Sequence, residues 1–373
     1  MEKNILIIAG EASGDVRGGE LLSELGPLLE KARFWGFGGD NMSACGVEII
    51  EHVRDLSMVG LVEVLRKLPS VHAHYRKITT QVLERKPDLA ILIDYPGFNL
   101  KTAKFLHRQG IPVIYYIIPQ VWAWGAWRLG AIKEHVSKAL VLFDFEQKLL
   151  EDNGIDAVFV GHPLVDEAPR EGSGESKGKT VALLPGSREN EVHSMLPVML
   201  DAAEKINSSC DDTRFILAES ANIPESTYSE MTSVHGSLDL ERVRNDTFGC
   251  LARSDFAIVT SGTATLETAI MEKPMIITYK ASVITELFYK ILRRVPFLGL
   301  VNIIAGRQVV PELLQAEATA GNLSAKTLEI LSDNTRMESI RKDLAEVKRH
   351  LGEKGASRRA AEEIKRFIDE NIS

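Results

Sequence analysis

Three cysteines in 373 residues, Cys45, Cys210 and Cys250, lie far apart in the chain. Neither a disulfide framework nor a zinc ligand set has that spacing, and such sparing use fits a reducing compartment. Long apolar runs are also missing. No stretch approaches the roughly 20 residues of a membrane span, and the first apolar run, Ile5 to Ala9, is too short for a signal-peptide core. Positive charge is in deficit: the formal net charge is −8, which speaks against a general nucleic-acid binder. There is no solenoid-period repeat and no low-complexity segment. There is also no Walker A ending, and Gly10-Glu11-Ala12-Ser13-Gly14-Asp15 has the wrong glycine spacing for a dinucleotide fingerprint.

What is present is alternation. Apolar runs Ile5–Ala9, Arg33–Gly36, Leu89–Asp94, Val113–Ile117, Ala139–Phe143 and Ala157–Val160 read as buried strands separated by amphipathic helices. The polar, Gly/Ser-rich stretch 167–179, EAPREGSGESKGK, reads as a linker. A second series follows: strands Val181–Leu184, Phe215–Ala218, Phe256–Val259 and Met275–Thr278, then a helix with Met337, Ile340, Leu344, Val347 and Leu351 on its inner face. The expectation is α/β, with one Rossmann-like domain over 1–166, another over 180–355, and a last helix from 356 free to pack on the first. Two such halves leave a cleft at the carboxyl ends of their strands, where ligands of parallel sheets collect. The GT-B glycosyltransferases have that architecture, and other bilobal α/β proteins fit it as well.

The organising stretch is Phe256 to Pro274, FAIVTSGTATLETAIMEKP. A buried strand runs into Ser261-Gly262-Thr263, and a helix follows with Glu267 one turn in. A Gly/Ser/Thr turn at a helix N-terminus aims backbone N–H groups and the positive dipole end at one point, suited to phosphate. Glu267 would accept from ribose hydroxyls. The plain alternative is an ordinary capped βα unit. A second such turn, Pro185-Gly186-Ser187-Arg188, makes a nucleotide-diphosphate site the better reading. There Gly186 would let backbone approach a ligand, Ser187 would cap the helix, and Arg188 would bring a forked cation. In the first half Asp94 ends a strand, either as a general base on an acceptor hydroxyl or as a turn-capping aspartate. His162 suits structural hydrogen bonding. Trp122, Trp124 and Trp127 suit either sugar or acyl contact or plain packing. Residues 57–68 and 282–300 join apolar and basic side chains, suited to a lipid surface or to burial.

Together these motifs resemble the lipid-A-disaccharide synthase family over nearly the whole chain. They are AGEASGD (9–15), the Gly36-Phe37-Gly38-Gly39 loop with Met42, MVGLVEVL (58–65), IDYPGFN (93–99), PQVWAWG (119–125), GHPLVD (161–166), LLPGSRENEV (183–192), SGTATLE (261–267) and LVNIIAGRQVVPELLQ (300–315). The resemblance implies an inverting GT-B transferase that needs no metal or other cofactor. It would join UDP-2,3-diacylglucosamine to 2,3-diacylglucosamine 1-phosphate through a β(1→6) bond, releasing UDP at the cytoplasmic face of the inner membrane, with a homodimer possible. By position it makes Asp94 the general base. It assigns Arg188 and Glu267 to the UDP-sugar site, adds Asn302 and Arg307 from the AGR segment, and turns Glu11, Ser13 and Asp15 toward the ligand. The chain departs at Gly97, where the family often has a second acid, at Asp40, and at Phe143-Asp144-Phe145-Glu146. Gly97 puts a paired-carboxylate mechanism in doubt. Two further readings use the same residues: another UDP-sugar GT-B protein (a peptidoglycan N-acetylglucosaminyl transferase or a UDP-GlcNAc 2-epimerase), or a non-catalytic UDP-sugar or lipid-binding protein.

Overall fold

A computed structural model describes residues 2–56, 68–123, 125–169, 179–210, 212–280 and 296–372. Trp124, most of the linker and nearly all of the two basic-apolar stretches lie outside them. No helix among the described residues is long and apolar enough to cross a membrane.

The chain divides into two units, Met1–Asp166 with Leu351–Ser373, and Glu167–His350. In the first, the described strands are β1 (Lys3–Ala9), β2 (Ala32–Gly38), β3 (Glu48–His52), β4 (Leu89–Ile93), β5 (Val113–Tyr116), β6 (Lys138–Val141) and β7 (Ala157–Phe159). They form one parallel sheet in the order β3-β2-β1-β4-β5-β6-β7. β1 and β4 are apolar through their middles and almost wholly inaccessible, as strands covered by helices on both faces must be. The second unit holds β8 (Lys179–Leu184), β9 (Thr213–Glu219), β10 (Leu240–Arg244), β11 (Phe256–Thr260), β12 (Met275–Tyr279) and β13 (Glu312–Leu314). Its sheet is also parallel, ordered β10-β9-β8-β11-β12-β13.

In each sheet the order reverses beside the first strand, between β1 and β4 and between β8 and β11. Helices leaving those neighbours go to opposite faces, so the carboxyl ends of the pair stay uncovered.

Three strands escape the apolar pattern. β3 and β10 are edge strands rich in charge, EIIEH and LERVR, and β13 is three residues long. The loop expected at 10–15 is shorter than it reads: the helix Ala12–Leu28 begins inside it, which puts Ser13 and Asp15 in a first helical turn. The helix after β4 runs Pro96–Arg108 and opens on a proline, a favoured first-turn residue. The second unit ends earlier than the expected 355. The Leu351 carbonyl accepts the His162 N–H at 2.8 Å, and Asp166 takes the Gly355 and Ala356 amides at the start of the helix Ala356–Asn371. That helix packs on Ala12–Leu28 in the first unit.

Candidate active site

The uncovered end of the second sheet carries a pocket of about 390 Å³. Both expected turns line it: Gly186, Ser187 and Arg188 after β8, and Ser261, Gly262 and Thr263 after β11, with Glu267 one turn in. The two turns are alike in sequence and unlike in structure. After β8, Gly186 has φ +108, and a Cβ there would lie 2.6 Å from Glu191 Oε2. Its lack of a side chain makes room for Glu191, not for a ligand as the sequence suggested. Ser187 does not cap the helix Glu189–Ser209. Glu191 does, its Oε2 accepting the Ser187 and Arg188 amides at 3.3 Å while Oε1 pairs with Arg188 Nη1 at 2.7 Å.

After β11, Gly262 is extended, and a Cβ on it would meet no heavy atom within 4 Å. Neither backbone nor packing requires glycine there, so the open space is left for something outside the chain. No side chain caps the helix Thr263–Ile270. The Thr265 amide donates to the Gly262 carbonyl at 3.1 Å, and the two amides before it have no acceptor inside the helix. Beside them Thr260 is 2 % exposed and lines the pocket, yet its hydroxyl has no hydrogen-bond partner among the described residues. A buried hydroxyl left so is costly, and it is closed off from solvent. Sequence reading puts Thr260 in the turn with Ser261, whereas it is the last residue of β11. It passed over Ser220, Asn222, Asn245 and Thr247, which close the pocket beyond β9 and β10. No motif announces them; the parallel register brings them there.

The first unit's uncovered end carries Asp94. The strand stops at Ile93, so Asp94 is the turn itself, with φ +46, followed by Tyr95 at +50, and Ile117 beyond β5 sits at +61. Left-handed backbone at three non-glycine residues costs on the order of 1–3 kcal/mol each. It persists because the surroundings over-determine it. The Asp94 carbonyl accepts from the Tyr115 hydroxyl at 2.7 Å and Asn99 Nδ2 at 2.8 Å, and the Asp94 N–H donates to the Tyr116 carbonyl at 3.0 Å. The Tyr95 ring lies so close over Gly10 that a Cβ there would sit 2.1 Å from it. Burial, then the nearby charge of Glu11, push the Asp94 carboxyl up to about 6, while the Tyr95 amide pulls the other way.

Three expected residues are engaged elsewhere. Asp15, 3 % exposed, accepts from the Gly39, Asn41 and Met42 amides and Asn41 Nδ2; it pins the loop after β2 and does not face a ligand. Burial raises its pKa, but those bonds outweigh it and hold the group below the usual value. Asn302 is fully buried: its amide donates to the Val310 carbonyl and Glu312, and its oxygen accepts from the Val309 and Val310 amides. Arg307 makes a two-pronged pair with Asp343. Neither lines the pocket. Glu11 and Ser13 are exposed at the start of their helix. Of the tryptophans, Trp122 donates to buried Glu146 at 2.8 Å and packs edge-on to Phe143 and Phe145, while Trp127 is exposed. His162 Nδ1 accepts the Leu164 amide, and burial keeps the ring neutral, with its pKa down to about 3.

A family model described as lipid-A-disaccharide synthetase matches residues 5–367. The chain belongs to that family. A lipid-A-disaccharide synthase of Syntrophus aciditrophicus is 39 % identical over 368 residues, 96 % of each chain. Among solved structures, a putative UDP-N-acetylglucosamine 2-epimerase of Listeria monocytogenes superposes with a TM-score of 0.65 at 12 % identity, over 100 % of this chain and 98 % of its own. The calicheamicin glycosyltransferase CalG4 gives 0.65 at 13 %, over 100 % of both chains. At such identities they establish the fold alone, two-domain α/β of the GT-B kind. The lipid-A-disaccharide synthases are glycosyltransferases of lipid A biosynthesis, and this chain is an enzyme of that family.

Two expectations follow for stability. Asp15→Ala strands the Gly39 and Met42 amides and should cost about 2–4 kcal/mol in urea titration at pH 7. A loss under 0.5 kcal/mol would deny Asp15 its structural role. For Asp94 the sign runs the other way. Its pKa is higher folded than unfolded, so between about 4 and 6 the folded state keeps a proton that the unfolded state has lost, and stability falls as pH rises through that window. Asp94→Asn should therefore stabilise the protein at pH 8, by about 2 kcal/mol, with the gain shrinking toward pH 4.5. A pH-independent difference would contradict the shift.

Proposed function

We propose that the enzyme joins UDP-2,3-diacylglucosamine to 2,3-diacylglucosamine 1-phosphate, giving a β(1→6)-linked disaccharide 1-phosphate and UDP, with inversion at the anomeric carbon. The observation that carries this reading is the pocket at the β8/β11 reversal. It joins Arg188, Glu267 and the Ser261-Gly262-Thr263 turn along one wall. A diphosphate on that turn meets first-turn amides, the helix dipole and a guanidinium, the donors a departing UDP needs as negative charge builds on it. Glu267 lies where it can accept from ribose hydroxyls. In this reading no metal takes part in neutralising the leaving group.

The acceptor's 6-hydroxyl goes to Asp94. A carboxylate with a pKa of about 6 is ionised at neutral pH and more basic than an ordinary aspartate, which suits general-base work. Glu11 raises that basicity by its charge. Deprotonated Asp94 takes the hydroxyl proton as the oxygen attacks the anomeric carbon, and the bond to the UDP oxygen breaks on the opposite side. Both substrates bear acyl chains. The reading therefore has the enzyme working against the cytoplasmic face of the inner membrane, through the basic-apolar residues 57–68 and 282–300.

The direct test supplies both diacyl sugars with EDTA present and measures UDP release and product mass. A tetra-acyl disaccharide is expected; UDP release without it, or a 2-epimerised UDP-sugar, would overturn the assignment. Asp94→Ala should lower kcat/KM by about 10²–10⁴ and leave UDP affinity intact by calorimetry. In the wild type, kcat/KM should fall as pH drops through about 6. Full activity at pH 5 would remove Asp94 from the role.

A further inference from the structure

The turn after β8 holds an anion of its own. Glu191, one turn into the helix Glu189–Ser209, is buried at the pocket wall. One oxygen accepts the Ser187 and Arg188 amides, and the other grips Arg188 Nη1. These are the groups that a diphosphate would otherwise be expected to use, and Gly186 leaves the carboxylate the room it needs. The Arg188 side chain is 75 % exposed, and Glu191 holds its Nη1 at 2.7 Å. Tyr279, at the end of β12, feels both partners: its phenol is raised by burial and by the Glu191 charge and lowered by Arg188.

We infer that Glu191 is a positioning residue of the donor site: it occupies the β8 turn amides permanently and presents the Arg188 guanidinium to the diphosphate, which binds on the β11 turn. This inference rests on the donor-site reading above. It divides the labour between two turns that look equivalent in sequence. The amides after β8 serve a resident carboxylate and orient a cation, while those after β11 receive the ligand. A loose arginine loses side-chain freedom on binding, and one already tethered loses less. The contribution therefore reaches the phosphates and not the nucleoside.

Calorimetry with UDP and with uridine separates the possibilities, alongside thermal melts of each variant. Wild-type protein must bind UDP; if it does not, the donor-site reading fails and not this inference alone. Given that binding, Glu191→Ala should weaken UDP at least roughly tenfold, the scale of a lost charge-assisted contact, with uridine unchanged. Glu191→Gln keeps the size but cannot accept from the amides and Arg188 together, and it should show the same selective loss in a folded protein. Tighter UDP binding in either variant would mean that Glu191 competes with the ligand, and would overturn the inference. So would unchanged UDP affinity, or an equal loss for UDP and uridine.

Discussion

A parallel sheet whose strand order reverses leaves one gap at its carboxyl edge, and this chain has two such gaps with its chemistry at each. Between β1 and β4 the gap is bounded by Glu11 and Asp94. Between β8 and β11 it is bounded by Arg188 and the Ser261–Thr263 turn. Nothing about aspartate, arginine or glycine alone selects those positions. The constraint is that helices leaving neighbouring strands on opposite faces cannot cover the space between them. Polar groups there escape the apolar packing that makes β1, β4, β8 and β11 inaccessible over most of their length.

The two gaps are prepared in opposite ways. At Asp94 the backbone is forced left-handed and clamped by Tyr115 and Asn99, while burial and Glu11 oppose ionisation. The carboxylate is destabilised, which is what makes it a better base. At the β11 turn the backbone is relaxed and the surroundings are empty: an unhindered Gly262, uncapped first-turn amides and an unsatisfied Thr260 hydroxyl. In the proposed reaction one gap would accept a proton and the other an anion, the two demands made by glycosyl transfer to a hydroxyl from a nucleotide donor.

Much of this was legible in the chain because parallel strands write themselves as short, uninterrupted apolar runs. Phe256-Ala257-Ile258-Val259 and Ala90-Ile91-Leu92-Ile93 allow little else, and the residues just after such runs fall at the carboxyl edge. β3 and β10 were illegible for the same reason, since edge strands alternate with charge and read as helix or loop. Side-chain commitments were not legible at all. Asp15 lies in a motif that points to the site, yet the amides it binds belong to Gly39, Asn41 and Met42, brought near only by the pairing of β1 with β2. Asn302 and Arg307 likewise take partners from more distant segments. Gly186 and Gly262 look interchangeable on paper. Only the packing of Glu191 tells them apart.

The most direct test is a crystal structure with UDP bound, grown in the presence of EDTA. The pyrophosphate is expected on the amides of Gly262 and Thr263, with Arg188 reaching in from the β8 side. A pyrophosphate bound away from the β11 turn would contradict the account. So would loss of UDP binding on chelation that an added divalent ion restores.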